Sequence, residues 1–205
     1  MRKRFIVVDD FYSDPRLVRS VALDMKYEGH PGHTYPGMNS TQPYINDQIT
    51  DAVTQIVGHR VKPSEGQLFG HFRTSSAADT YEQDIHVDPE PSNLWAGVIY
   101  LNTPQQCADR PGTITWRHKK HGFETVPANR EEGRRYGFSS YEDIRREVIY
   151  RDGLDRSLWT MTNYAAMKFN RLVLFRPHDW HSHGENFGVS LEDSRLVQIF
   201  FWSRA

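Results

Sequence analysis

From Gln67 to Trp202 the chain is a series of short apolar runs, and their spacing restricts the fold more than any other feature. QLFGHFRTSS, WAGVIYLN, GTITWRH, RLVLFRP and RLVQIFFW are rich in β-branched and aromatic residues, and turn-forming residues separate them. They do not alternate regularly with helical segments, which disfavours a parallel α/β sheet. The pattern predicts a mainly β, α+β protein with an antiparallel core over about 67–202, and it suits a double-stranded β-helix (jelly roll).

Around that core the chain reads as helices and loops. Phe5–Val8 is a predicted strand, and Asp14-Pro15 starts a helix over Arg16–Met25 with Pro15 at the first helical position. Residues 29–43, GHPGHTYPGMNSTQP, form a long loop of the kind that lines or covers a pocket. Asn46–Val57 carries apolar residues at a helical period. A polar, Arg/Glu-rich insertion over about 124–160 interrupts the β core, with one helix expected over Tyr141–Tyr150 and another around Leu154–Thr162. No internal repeat is visible. The 205 residues are expected to make one domain, with N-terminal helices outside the β core.

Composition narrows the function classes. Lys and Arg number 25 against 26 Asp and Glu, so the chain carries no electrostatic footprint for nucleic acid or an anionic membrane. A single cysteine, Cys107, excludes an intrachain disulfide and a thiolate-rich zinc site. The opening MRKRFIVVDDFY has too short an apolar run for a signal segment, and no stretch reaches the length of a membrane span; a soluble cytoplasmic protein is the expectation. Ten histidines are the one unusual count.

Four of those histidines sit in suggestive places. In IHVDPEPSNLWAGVIYLN, residues 85–102, His86 and Asp88 are two apart and project from one face if the segment is extended. An imidazole and a carboxylate on one face are two of the three ligands of a 2-His-1-carboxylate metal site. A His-x-Asp triplet arises by chance about once in a chain of this composition, so alone it carries no weight. The stretch NRLVLFRPHDWHSH offers His178, His181 and His183 as the third ligand, and Arg195 opens the last strand with a guanidinium suited to a carboxylate.

The ordered set resembles the Fe(II)/2-oxoglutarate-dependent dioxygenases, on the prolyl-4-hydroxylase-like side of that superfamily. The carrying motifs are His86-Val-Asp88, Ile99-Tyr-Leu-Asn102, Gly112-Thr113, Arg171-Leu-Val-Leu-Phe175, Trp180-His181 and Arg195. Tyr35-Pro36-Gly37 and Trp116-Arg-His-Lys-Lys-His-Gly122 are similar to segments of a poorly characterised bacterial branch. The resemblance implies Fe(II) on His86, Asp88 and His181, and 2-oxoglutarate held through its distal carboxylate by Arg195. His183 is the rival of His181. Relatives often place a serine two residues after the arginine, where Val197 stands here; Tyr100 is a substitute hydroxyl if it, and not Ile99, faces inward. An aspartate at position 88 favours hydroxylation over halogenation within the superfamily.

The implied reaction is hydroxylation of an unactivated C–H by O2, coupled to conversion of 2-oxoglutarate to succinate and CO2. The expected substrate is a small polar metabolite, an amino acid or a peptidyl residue. The 29–43 loop, the 116–122 segment with Arg117, His118 and His121, and Arg73 are candidate selectivity elements; a solvated basic strand end is the competing reading of the basic residues. The insertion over about 124–160 is open to two roles, a lid or a homodimer contact. Two other readings compete: a cupin-type metal enzyme that does not use 2-oxoglutarate, and a non-catalytic β-sandwich binding module.

Overall fold

The apolar runs pair into two antiparallel sheets. The computed structural model describes residues 3–29, 36–46, 48–80, 83–88, 90 and 93–205. In chain order the elements are β1 (Phe5–Val8), α1 (Pro15–Asp24), β2 (Tyr27–Glu28), β3 (Met38–Ser40), α2 (Gln48–Val57), β4 (Val61–Pro63), β5 (His71–Ser75), β6 (Trp95–Tyr100), α3 (Pro104–Cys107) and β7 (Pro111–His118). The insertion follows, with α4 (Arg130–Arg135), α5 (Tyr141–Ile144), a π-helix over Arg145–Asp152 and a 3-10 turn over Arg156–Leu158. It leads to β8 (Trp159–Ala166), β9 (Leu172–Phe175), β10 (His181–Ser182) and β11 (Arg195–Arg204).

The major sheet runs β1-β9-β6-β11-β5-β3-β2, with β4 also paired to β11, and the minor sheet runs β10-β7-β8. Both are antiparallel. Alternation along the central strands divides the major sheet cleanly. Trp95, Ile99, Leu172, Leu174, Leu196, Phe200 and Trp202 face one side and pack beneath Val18 and Ala22 of α1 and Ile49 and Val53 of α2. Ala96, Tyr100, Val173, Phe175, Val197 and Ile199 face the other. The sheet is thus apolar on both sides, and its inner face is the one open to a cavity.

Local chemistry accounts for the helix starts. Asp14 caps α1 by accepting from Leu17 N at 3.1 Å, and Pro15 occupies the first turn, as expected. Asn129 and Ser140 cap α4 and α5 in the same way. The insertion folds over the minor sheet: Phe138, Ile144, Val148 and Ile149 bury against Ile85, Val87, Ile114, Trp116, Trp159 and Trp180 in a second core.

Three expectations need correction. The helix expected around Leu154–Thr162 is only a 3-10 turn, after which Trp159–Ala166 is an edge strand on β7. Its Thr, Trp and Tyr content favours a strand, but most of it is exposed on both faces, so no hydrophobic period marks it. The helix over Tyr141–Tyr150 is real but passes from α to π geometry at Arg145. The 29–43 loop contains β3, which pairs with β2 and β5; its residues 30–35, including Tyr35, lie outside the described residues. Gly37 in that loop has φ +86°, and a Cβ there would come within 2.0 Å of Thr74 O, so a glycine is required for the approach to β5. No helix among the described residues is long and apolar enough to cross a membrane.

Candidate metal centre

His86 is not in a regular strand. It forms a single antiparallel bridge with His181, each backbone N–H donating to the other's carbonyl at 2.9 Å. Asp88 N donates to Pro177 O at 2.9 Å, which keeps the segment extended for two more residues. Extension suffices for the expected facing. Ile85 and Val87 bury in the second core, and His86 and Asp88 turn the other way, into the cavity.

One ligand atom each from His86, Asp88 and His181 lie within 4.8 Å of one another. His181 Nε2 is 3.4 Å from Asp88 Oδ2, and the two imidazole rings are 4.5 Å apart, centre to centre. The Nδ1 atoms are turned away, to Asp84 O at 2.9 Å for His86 and to Asp179 O at 2.7 Å for His181. A carbonyl can only accept, so Nδ1 carries the hydrogen in both rings and Nε2 presents its lone pair to the cluster. Two such nitrogens and one carboxylate suit a divalent first-row metal with open coordination positions.

Electrostatics agree with that donor set. Burial lowers the His86 pKa, and the neighbouring His181 lowers it further, so His86 is neutral. Burial alone would raise the Asp88 carboxyl, but the adjacent His181 outweighs it and holds the group below its ordinary value. Burial likewise opposes charge on His181, yet Asp88 raises its pKa overall. Asp88 thus favours a proton on His181 Nε2, and a metal at this point would take that proton's place on the same lone pair.

The other two histidines of the C-terminal cluster separate. His178 Nε2 meets Glu90 O at 3.1 Å, outside the cluster. His183 lines the same cavity, with Nδ1 on Gly184 O at 2.5 Å; burial, with the Arg195 charge adding to it, pushes its pKa down to about 3. The geometry therefore groups His181, and not its rivals, with His86 and Asp88.

The cavity has a volume of about 600 Å³. The inner face of the major sheet contributes Val98, Val197 and Ile199 to its lining, and Arg195 lines it too. Arg195 is 5% exposed. Among the described residues no carboxylate pairs with it, and its Nε has no hydrogen-bond partner. Burial lowers its pKa below the ordinary arginine value, with Tyr100 opposing. Tyr100, and not Ile99, faces inward; its hydroxyl lies 2.7 Å from Thr113 Oγ1, and burial raises its pKa. Ser75 stands directly across from Arg195 in the β5–β11 register and also lines the cavity.

Of the candidate selectivity elements, Arg73 and, from the 29–43 loop, Pro36 line the cavity, whereas the 116–122 segment does not among the described residues. Arg117 is half-exposed and pairs with Glu124 at 2.6 Å. His118 is buried 3.1 Å from Asp152, and His121 stacks between Phe123 and Phe138. The 116–122 segment therefore supports the second core, while the insertion supplies the wall, with Tyr141, Arg145, Ile149 and Tyr150. A lid was one of the two roles open to the insertion, but its wall residues are not legible from the sequence, because a helical period of 3.6 puts residues 145 and 150 on different faces. The wider π turn brings Arg145 Nη2 to 2.8 Å from Tyr150 Oη.

Comparison with known proteins adds a family and a fold. The model of a family of unknown function, DUF6445, matches residues 1–187. No curated protein is similar to the sequence at a significant level. Among solved structures, HygX from Streptomyces hygroscopicus with nickel, 2-oxoglutarate and hygromycin B bound has a TM-score of 0.54 at 10% identity, over 100% of this chain and 84% of that one. AviO1 from Streptomyces viridochromogenes Tue57 has a TM-score of 0.51 at 11% identity, over 98% and 90%. A prolyl-4-hydroxylase from Pseudomonas putida reaches 0.47 at 13% identity, over 98% and 92%. At these identities the likeness to HygX and AviO1 is one of fold.

Proposed function

The chain belongs to DUF6445, a family of unknown function, and from its own site we propose that it is an Fe(II)- and 2-oxoglutarate-dependent dioxygenase that hydroxylates an unactivated C–H. The observation that carries this reading is Arg195. A buried arginine is costly without a carboxylate partner, and Arg195 has none among the described residues; it lines the same cavity as a 2-His-1-carboxylate donor set. A dicarboxylic co-substrate answers both features, with one end at the metal and the other on the guanidinium. The shared fold with HygX supports the reading, as does the order of motifs on the prolyl-4-hydroxylase-like side of the superfamily. In that light the major and minor sheets are the two halves of a double-stranded β-helix.

When bound, Fe(II) with 2-oxoglutarate and O2 supplies the oxidation: 2-oxoglutarate, O2 and R–H become succinate, CO2 and R–OH. The chain's own residues do the rest. His86, Asp88 and His181 hold the ion from one side, with their Nδ1 atoms fixed by backbone carbonyls. The planar fork of Arg195 accepts a carboxylate bidentately. Thr113 adds a hydroxyl to the cavity lining, hydrogen-bonded to that of Tyr100, which interacts with the Arg195 charge. The insertion wall and the apolar sheet face limit water access and shape the substrate space, which suits a small polar metabolite, an amino acid or a peptidyl residue.

The test is anaerobic reconstitution with Fe(II) and 2-oxoglutarate, watching for the visible metal-to-ligand charge-transfer band of the chelate. The expected result is a band in the wild type that is absent in His181→Ala and needs far more 2-oxoglutarate in Arg195→Ala. Stoichiometric iron with no band at saturating 2-oxoglutarate would move the protein to the cupin-type reading, and failure to bind metal would end the enzyme hypothesis.

A further inference from the structure

The two histidines of the metal centre are oriented by the same device. Each donates its Nδ1–H to the carbonyl of the residue two before it, and in both cases that residue is an aspartate: Asp84-Ile-His86 and Asp179-Trp-His181. The peptide unit that offers the carbonyl is itself tied at its N–H end. Ile85 N donates to Gly153 O at 3.0 Å, and Trp180 N donates to Glu124 O at 2.9 Å. Both acceptors belong to the segment between β7 and β8.

The aspartate side chains complete the repeat. Asp84 and Asp179 are 4% and 6% exposed, so each buried carboxylate needs a cationic partner. Arg156 meets Asp84 as a fork, with Nε to Oδ2 at 2.5 Å and Nη2 to Oδ1 at 3.0 Å. Arg4 meets Asp179 in the same way, with Nε to Oδ2 at 3.1 Å and Nη2 on Oδ1. The partners come from 72 and 175 residues away in sequence. A planar guanidinium on a planar carboxylate fixes direction as well as distance, which a lysine would not do.

We propose that Arg156 is a positioning residue for the metal ligand His86, acting through Asp84; this rests on the metal-centre reading above. Residues 153–156 hold the Asp84–Ile85 peptide at both ends, and its carbonyl sets the plane and tautomer of the His86 ring. The approach is close: a Cβ on Gly153 would lie 2.6 Å from Ile85 O and 2.3 Å from Ile149 O, so the π-helix ends in the one residue that permits it. The insertion that walls the cavity through Tyr141, Arg145 and Tyr150 is, through Arg156, also part of the support of the metal site. Arg4 has the equivalent place behind His181.

The experiment is Co(II) titration of the metal-free full chain, read by the visible d–d bands and by the dissociation constant, with circular dichroism and thermal melting beside it. Arg156→Ala is expected to weaken Co(II) about 10- to 100-fold and to shift the bands, with Arg156→Lys between it and the wild type. Arg151→Ala, which removes a neighbouring ion pair to Asp152 in the same insertion, is the control; it is expected to lower the melting temperature and leave Co(II) affinity and spectrum unchanged. A folded Arg156→Ala with wild-type affinity and bands overturns the proposal, as does an Arg151→Ala that weakens Co(II) equally. Should Arg156→Ala not fold, Arg156→Lys and Asp84→Asn decide by the same readout, and wild-type values in both overturn it. A wild type that binds no Co(II) removes the metal-centre reading itself, an outcome distinct from a metal site that ignores Arg156.

Discussion

Replacing Arg195 by methionine separates a ligand-binding arginine from a structural one. If Arg195 were half of a buried ion pair, its loss would strand a carboxylate and cost about 3–5 kcal/mol. At about 2–4 °C per kcal/mol for a chain of this length, the melting temperature would then fall by roughly 6–20 °C. No carboxylate among the described residues pairs with Arg195, and its Nε lacks a partner. Arg195→Met therefore leaves the metal-free, 2-oxoglutarate-free protein at its original melting temperature or above it. The loss appears only with ligand: removing a buried, bidentate partner of a carboxylate costs about 2–4 kcal/mol, roughly 30- to 700-fold in affinity. The assay is thermal shift against 2-oxoglutarate concentration with Co(II) present. Ligand at 100 times the wild-type Kd raises wild-type stability by about 2.7 kcal/mol, and the variant gains only about 0.1–0.9 kcal/mol at the same concentration. An unchanged ligand-induced shift, or an apo melting temperature that falls by several degrees, would refute the assignment.

His181→Ala and Asp88→Asn should each abolish stoichiometric Co(II) binding measured by calorimetry, whereas His178→Ala should retain it, because its ring meets Glu90 O outside the cluster. Tyr100→Phe removes one buried hydrogen bond to Thr113 and should lower stability by about 1 kcal/mol, measured by urea unfolding; wild-type stability would mean that the bond contributes nothing. Arg117→Ala should change stability by less than about 0.5 kcal/mol and leave 2-oxoglutarate binding untouched, since it breaks only an exposed pair with Glu124. Burial holds the His121 pKa below 6.5, so as pH falls through 6.5 the unfolded chain takes up a proton that the folded chain refuses, and stability drops. His121→Phe should therefore flatten the fall in melting temperature between pH 7 and pH 5, and an unaltered slope would assign that fall to other groups.

The five apolar runs were legible as strands because central strands carry their burial in their composition: Leu172–Phe175 is buried at every position and Arg195–Phe200 likewise. Trp159–Ala166 was not, because an edge strand exposed on both faces leaves no alternation to read. Facing alone put His86 beside Asp88; the choice of His181 as their companion, and of Arg195 for a carboxylate, came from the resemblance in motif order, and the structure brings the first three within 4.8 Å of one another. The side of the sheet taken by Tyr100 required the register, since a shift of one residue exchanges it with Ile99. The wall of the cavity required the π-helix, for which the sequence holds no comparable signal.

The repeated Asp-x-His pattern was in plain view in the sequence and yet said nothing by itself. Read as side chains, Asp84 and Asp179 look like further carboxylate ligands, and two Asp-x-His units would suggest a larger metal cluster. The structure turns both carboxylates outward to Arg156 and Arg4 and leaves only their backbone carbonyls for the histidines. An extended chain places residues i and i+2 on one face, so the side chain of Asp84 would share the cavity with His86 unless something held it elsewhere. The arginine pairs supply that hold. On the proposed metal-centre reading the pairs do two jobs: together they keep a second and a third carboxylate away from the His86, Asp88 and His181 cluster, and each holds the residue whose carbonyl the imidazole meets. The two-nitrogen, one-oxygen character of the proposed site would thus depend on groups 72 and 175 residues away from the aspartates they pair with, a dependence that no local reading of His86-Val-Asp88 can contain.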